Sequence, residues 1–222
     1  MVSSDSKRKV FVWGASGHAL FVLDILSYHP LIEVVGVLDD ISPERAGECF
    51  HGFPVLGGRD IIPTLKQQGV TGCVFGFGNC SARLRLADYV VQEGLHLITA
   101  IHPKAIIASS ATIGAGSVIG PGVVVDAGCT VEENCILNNN CTVSHGTRID
   151  AGTHICPGVT IGGSVTIGRG CWIGIGSTVI EKVTIGPGSF IGAGAVVTRD
   201  LPAAVLAHGV PAKVIRCMSQ DF

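Results

Sequence analysis

From Ile107 onward, every sixth residue is aliphatic. Ile113, Ile119, Val125, Val131, Leu137, Val143, Ile149 and Ile155 continue the series, then Ile161, Ile167, Ile173, Val179, Ile185, Ile191 and Val197. The run holds sixteen positions without a break in phase. Two residues before each of them stands a smaller side chain, among them Ala105, Ser117, Cys129, Cys135, Cys141, Thr147, Cys171 and Ala195. The residue after the aliphatic is often Gly, or Asp and Asn at 126, 138 and 150, types that tolerate positive φ. One large and one small inward residue in every six describe a short strand and a corner. Three such units close a triangular coil of eighteen residues, and stacked coils bury a continuous column that no single repeat could bury alone.

The first hundred residues carry a different pattern. Lys9 to Trp13 is a short apolar strand, Gly14-Ala15-Ser16-Gly17-His18 a tight turn, and Ala19 to Tyr28 a segment with helical spacing. A second strand, Glu33 to Leu38, ends in Asp39-Asp40. Helices are expected over Gly58 to Gln68 and Ala82 to Glu93, and strands over Gly72 to Phe77 and Leu95 to Ala100. Strand, glycine loop, helix and strand with a terminal acid is the layout of a nucleotide-binding α/β unit. The loop is G-x-x-G, shorter than the full dinucleotide fingerprint, so an ordinary β–α turn is the competing reading. Amides at the start of the helix could hold a phosphate, and Asp39 or Asp40 could accept hydrogen bonds from ribose hydroxyls or a base.

The expected fold is therefore a small Rossmann-like α/β domain over residues 1–101, followed over 102–222 by an all-β solenoid with a short C-terminal tail. Composition supports this. Of 222 residues, 31 are Gly, with neither a collagen period nor low complexity, which points to a repeat of many tight turns. With a net charge of −2 and no basic run, nucleic acid and membrane surfaces are not expected partners. The polar stretch from Met1 to Lys9 has no apolar run of a signal peptide, and no segment is long and apolar enough to span a membrane. A cytoplasmic location follows as the expectation. Nine cysteines without a CxxC pair then read as free thiols. Cys129, Cys135, Cys141 and Cys171 fill the small inward register and are packing residues, not metal ligands.

The register also sorts two histidines. His145 stands two past Val143, at a corner, with Asn138, Asn139 and Asn140 upstream and Gly163 one coil above. His154 directly precedes Ile155 in the outward strand register, with Trp172 one coil above. Both rings are expected to face out from the prism. An outward imidazole suits the proton removal that acyl transfer to an amine or hydroxyl requires near neutral pH, and corner amides could stabilise an oxyanion. Direct attack by the substrate needs no enzyme nucleophile, so neither Ser nor Cys is assigned one.

VWGASGHA in the first strand and loop, VLDD after the second, GFGN at 76–79, IHP at 101–103 and the hexapeptide array together resemble one family. It is that of sialic-acid O-acetyltransferases and bacillosamine-type nucleotide-sugar N-acetyltransferases. The resemblance spans roughly Lys9 to Arg216. It implies a left-handed parallel β-helix and a homotrimer with active sites between subunits. It also implies acetyl-CoA as co-substrate without a metal, and N-acetylation of a UDP- or GDP-linked 4-amino-dideoxy sugar. O-acetylation of a sialic-acid-type sugar is the alternative, and a non-catalytic trimeric scaffold the third. By the same resemblance, His145 is the catalytic base of an N-x6-H pattern that begins at Asn138. His154, Ile175, Ala193 and Lys213 contact acetyl-CoA; Ser16, Gly17, His18, Asp39 and Asp40 contact the nucleotide sugar. The family places Glu or Asp directly after the catalytic histidine, where this chain has Gly146.

Overall fold

The computed structural model describes residues 7–218; part of the polar N-terminal segment read above, Met1 to Ser6, lies outside them. By their contacts the residues form two units. The first comprises residues up to Gly78 together with Ala87–Ala100, and the second comprises Asn79–Leu86 together with everything from Ile101.

In the first unit, β1 (Arg8–Trp13) is flanked in parallel by β2 (Ile32–Leu38) and β5 (Val70–Phe75), and β6 (His96–Leu97) adds an edge. A two-residue hairpin, β3 (Cys49–Phe50) and β4 (Phe53–Pro54), follows β2. Helix α1 (Gly17–Ser27) crosses from β1 to β2, and α2 (Ile62–Gln67) precedes β5. The core strand is buried from Val10 to Trp13, as expected where a parallel sheet is covered on both faces. The expected helix over Gly58 to Gln68 begins as a 3₁₀ turn at Arg59–Ile61. The expected strand over Leu95 to Ala100 contracts to β6, because only Gly72↔His96 and Cys73↔Leu97 are in register.

Helix α3 (Cys80–Gln92) starts two residues ahead of the expected Ala82. Asn79 sets that start: its Oδ1 accepts the Ala82 amide at 2.8 Å, satisfying one of the orphan donors of a helix N-terminus.

The second unit is a three-faced parallel β-helix. The first face stacks the two-residue strands at Val118, Ile136, His154, Trp172 and Phe190. The second stacks Ile106, Val124, Thr142, Thr160, Thr178 and Val196, and the third Thr112, Thr130, Arg148, Thr166 and Thr184. Each strand pairs with the one eighteen residues on. From Ile119 to Val197 the aliphatic series is buried throughout, each side chain gaining about 2 kcal/mol relative to exposure. The small register has a second task. Ser117 Oγ, Thr147 Oγ1 and Thr153 Oγ1 donate to the carbonyls of Glu132, Gly162 and Gly168 at 2.9–3.1 Å. The Cys129, Cys135 and Cys171 thiols meet Ser144, Asp150 and Gly186 carbonyls at 3.2–3.3 Å in the same way. The four expected packing cysteines are all buried. Val205–His208 extends the first face, and Lys213–Cys217 pairs antiparallel with it.

Candidate functional site

The loop after β1 leaves the sheet at Gly14, whose φ of +125° and 3.0 Å approach of a built Cβ to the Gly76 carbonyl admit only glycine. Ser16 then caps α1 with extended backbone and no side-chain capping bond. Ser16 and Gly17 are exposed and His18 half-buried, so the loop presents a hydroxyl and a helix N-terminus at the unit's surface.

Asp39 and Asp40 stand close by but are already engaged. Asp39 Oδ1 accepts the amides of Ile41 and Ser42 at 3.1 Å, and its Oδ2 binds Arg45 Nη1 at 2.8 Å. Asp40 Oδ1 accepts the Arg59 amide at 2.7 Å. Its Oδ2 takes Trp13 Nε1 at 3.2 Å and the Arg59 guanidinium at 2.7 Å. Both carboxylates thus anchor arginines, which the sequence reading did not identify. Arg45 reaches the Ala15 carbonyl in the loop at 3.4 Å, and Arg59 lies 5.8 Å from the Trp13 ring and 5.6 Å from Tyr89. The ion pair with Glu48, ahead of that with Asp39, raises the Arg45 pKa further, opposed by desolvation.

In the second unit, His145 is exposed at the corner between the second and third faces. The Cε1–Nε2 edge of its ring reaches the next coil: a Cβ built at Gly163 would be 2.6 Å from Cε1 and 2.7 Å from Nε2. Gly163 is therefore glycine because an imidazole occupies its side-chain space. Gly146 takes the left-handed turn position at φ +67°, and its amide is bonded to the Ala127 carbonyl, so it is not an oxyanion donor. Asp150 is bound to Arg148 at 2.8 Å, as is Glu132.

Asn138, Ile175 and Ala193 lie at a different corner, between the first and second faces. Asn138 Oδ1 accepts the Asn139 amide at 2.8 Å. Ile175 is 60% exposed, and Gly194 donates to its carbonyl one coil on. Lys213 is exposed beside His208, where Gly192 packs on the His208 Cβ. Within one chain, Asn138 and His145 are thus at opposite ends of the strand Thr142–Val143 and are not brought together.

His154 departs from expectation. It faces away from the prism interior as its register demands, yet it is only 4% exposed. The Trp172 ring covers it at 4.3 Å and stacks in turn on Phe190 at 5.8 Å. The Asn79–Leu86 segment also runs alongside. Cys80 Sγ meets the Cys171 carbonyl at 3.4 Å, and Arg83 Nη2 donates to the carbonyls of Gly152 at 2.7 Å, Asn134 at 3.3 Å and Thr153 at 3.4 Å. Asn134 Nδ2 returns a bond to the Arg83 carbonyl at 2.9 Å. Arg83 is a buried cation, its pKa lowered by desolvation.

Burial pushes the thiols of Cys135, Cys141, Cys156 and Cys171 up to about 12, so none is a thiolate nucleophile near neutrality. Among the described residues, no three His, Cys, Asp or Glu side chains gather as metal ligands.

Residues 9–90 match the PglD N-terminal domain family, and residues 164–199 match the bacterial transferase hexapeptide family. The chain is 34% identical to the perosamine N-acetyltransferase of Caulobacter crescentus, solved with CoA and GDP-perosamine. The alignment covers 94% of this chain and 97% of that one, at a TM-score of 0.89. The chain belongs to the hexapeptide-repeat family of nucleotide-sugar acetyltransferases. Two further structures of the Caulobacter protein carry a histidine replaced by Asn or Ala, again with CoA and GDP-perosamine. The acetyltransferase domain of PglB from Neisseria gonorrhoeae, solved with acetyl coenzyme A, is 33% identical over 95% of this chain and all of its own, with a TM-score of 0.88. With these relatives the chain shares its fold over nearly its whole length. No curated protein sequence matches it.

Proposed function

We propose that the enzyme transfers the acetyl group of acetyl-CoA to the amino group of a UDP- or GDP-linked 4-amino-dideoxy sugar, with His145 as general base. The observation that carries this reading is the exposed imidazole whose edge fills the side-chain space of Gly163 at a solenoid corner, in a chain whose 34%-identical relative binds CoA and GDP-perosamine. The thioester supplies the activated acetyl group. His145 takes the proton released as the amine nitrogen bonds to the acetyl carbon and the C–S bond breaks, and it returns that proton to the departing sulfur. Asn138, whose oxygen is held by the Asn139 amide, offers its NH₂ to the acyl oxygen.

Ile175, Ala193 and Lys213 follow one edge of the prism toward its C-terminal end. They are assigned to acetyl-CoA: two corner residues along the pantetheine arm and a cation for the phosphates. His154 takes a supporting part, holding Trp172. In the first unit, Ser16, Gly17 and His18 receive the diphosphate, while Asp39 and Asp40 set Arg45 and Arg59 around the nucleotide.

The base and the acetyl-CoA edge flank the second face. Its outward residues Ile106, Val124, Thr142, Thr160, Thr178 and Val196 carry no charge. A homotrimer that closes on this face would set the Ile175 edge of one copy beside the His145 edge of the next, completing the site between chains. We place the reaction in the cytoplasm.

The test is thiol release from acetyl-CoA with a panel of UDP- and GDP-linked 4-amino sugars and free sialic acid, with mass spectrometry of the product. One amino sugar turned over to a base-stable amide is the expected result. A base-labile ester would reassign the acceptor to a hydroxyl, and no turnover with any acceptor would leave the fold without this chemistry.

A further inference from the structure

A base that hands its proton on needs a fixed tautomer, and a carboxylate on the second imidazole nitrogen commonly supplies it. The residue after His145 is Gly146, and Asp150 and Glu132 are both spent on Arg148. The corner that carries His145 has one more carboxylate within reach.

Backbone bonds climb this corner coil by coil: Gly146 to Ala127, Ser164 to His145, and Lys182 to Gly163. Ala127, His145, Gly163 and Glu181 therefore stack in one column, about 4.8 Å apart. The imidazole leans along the column until its far edge fills the side-chain space of Gly163. Glu181 is the next residue up, exposed, with no side chain between it and the ring. About one strand spacing remains, which a glutamate side chain can close. The other charged groups at this corner are Asp126, which precedes Ala127 one coil below, Lys182 beside Glu181, and Arg199 and Asp200 one coil above. Asp126 is on the side from which the ring leans away, and Asp200 Oδ1 is bound to the Thr184 amide at 2.7 Å.

We infer that Glu181 is the positioning residue for His145, its carboxylate folding back over Gly163 to accept the imidazole N–H and leave the other nitrogen as base. The inference rests on His145 being that base. Gly163 then serves twice, as the floor under the ring and as the gap through which Glu181 reaches it.

The test is Glu181→Gln, assayed beside His145→Ala with the amino-sugar acceptor. Glu181→Gln is expected to lower kcat roughly tenfold to a hundredfold with the KM for acetyl-CoA and the Tm unchanged. Loss of the anion disfavours imidazolium, so the acidic limb of the kcat/KM profile is expected to move to lower pH. A Gln variant as fast as wild type, or slower with an unmoved acidic limb, overturns the inference while His145→Ala remains inactive. Full activity in His145→Ala instead overturns the assignment of the base itself.

Discussion

His145 and His154 are nine residues apart, half a coil of the same solenoid, and their surroundings are opposite. The corner at His145 carries glycine above and after it, and the imidazole is exposed. The face at His154 carries Trp172 above and the Asn79–Leu86 segment alongside, and the imidazole is buried. The repeat treats the two positions alike, since both point outward. What separates them is what the chain adds to the prism: one face is covered from the same unit, and the corner is left open. An outward register therefore establishes that a side chain is not in the core, and nothing about whether a ligand can reach it.

The sharpest way to break this comparison is to separate the open corner from the edge proposed to hold acetyl-CoA. His145→Ala and Ile175→Asp chains should each be nearly inactive alone at limiting acetyl-CoA. Co-assembled at equal amounts, they are expected to recover about a quarter of wild-type activity, the share of sites with both edges intact in randomly mixed trimers. Mixtures no more active than the two variants measured apart would place the whole site in one chain.

A smaller effect is expected from Gly163→Ala. No left-handed φ opposes alanine there, but its Cβ would lie 2.6 Å from the ring, so the imidazole must move. Steady-state kinetics should show kcat down tenfold to a hundredfold with Tm preserved. Unchanged kcat would mean that the pose on Gly163 is irrelevant to turnover.

The smallest effect per residue belongs to the interior. Folding raises the thiols of Cys135, Cys141, Cys156 and Cys171 from 9.0 to about 12. In that window the unfolded chain releases protons that the folded chain keeps, so their stability contribution is complete below pH 9 and lost as pH rises from 9 toward 12. At pH 9.5 each thiol should cost less than about 1 kcal/mol. Thermal melts from pH 8 to 9.5 should show Tm declining only above pH 9. A flat Tm would mean that the thiols are not sealed.

The solenoid was legible because a six-residue period ties residue identity to burial at every step, from Ile119 to Val197. The same register located the His145 corner and the glycine above it. Three features were not legible. Asp39 and Asp40 are held by Arg45 and Arg59, six and nineteen residues on, and neither spacing is a local signal. Residues 79–86, read within the first domain, group with the second unit, because Arg83 finds three backbone carbonyls whose convergence no sequence pattern announces. His154 is buried under the Trp172 ring at 4.3 Å, and what the register did not show is the segment beside it, where Cys80 and Arg83 bond to the carbonyls of Cys171 and Thr153.

The most direct test of the account is turnover of acetyl-CoA and the amino-sugar acceptor by His145→Ala, with the CoA dissociation constant measured in parallel. The account predicts kcat/KM reduced at least about a hundredfold with CoA bound as tightly as by wild type, because the proposed base and the proposed CoA contacts are on different corners. Activity within a few-fold of wild type would contradict it.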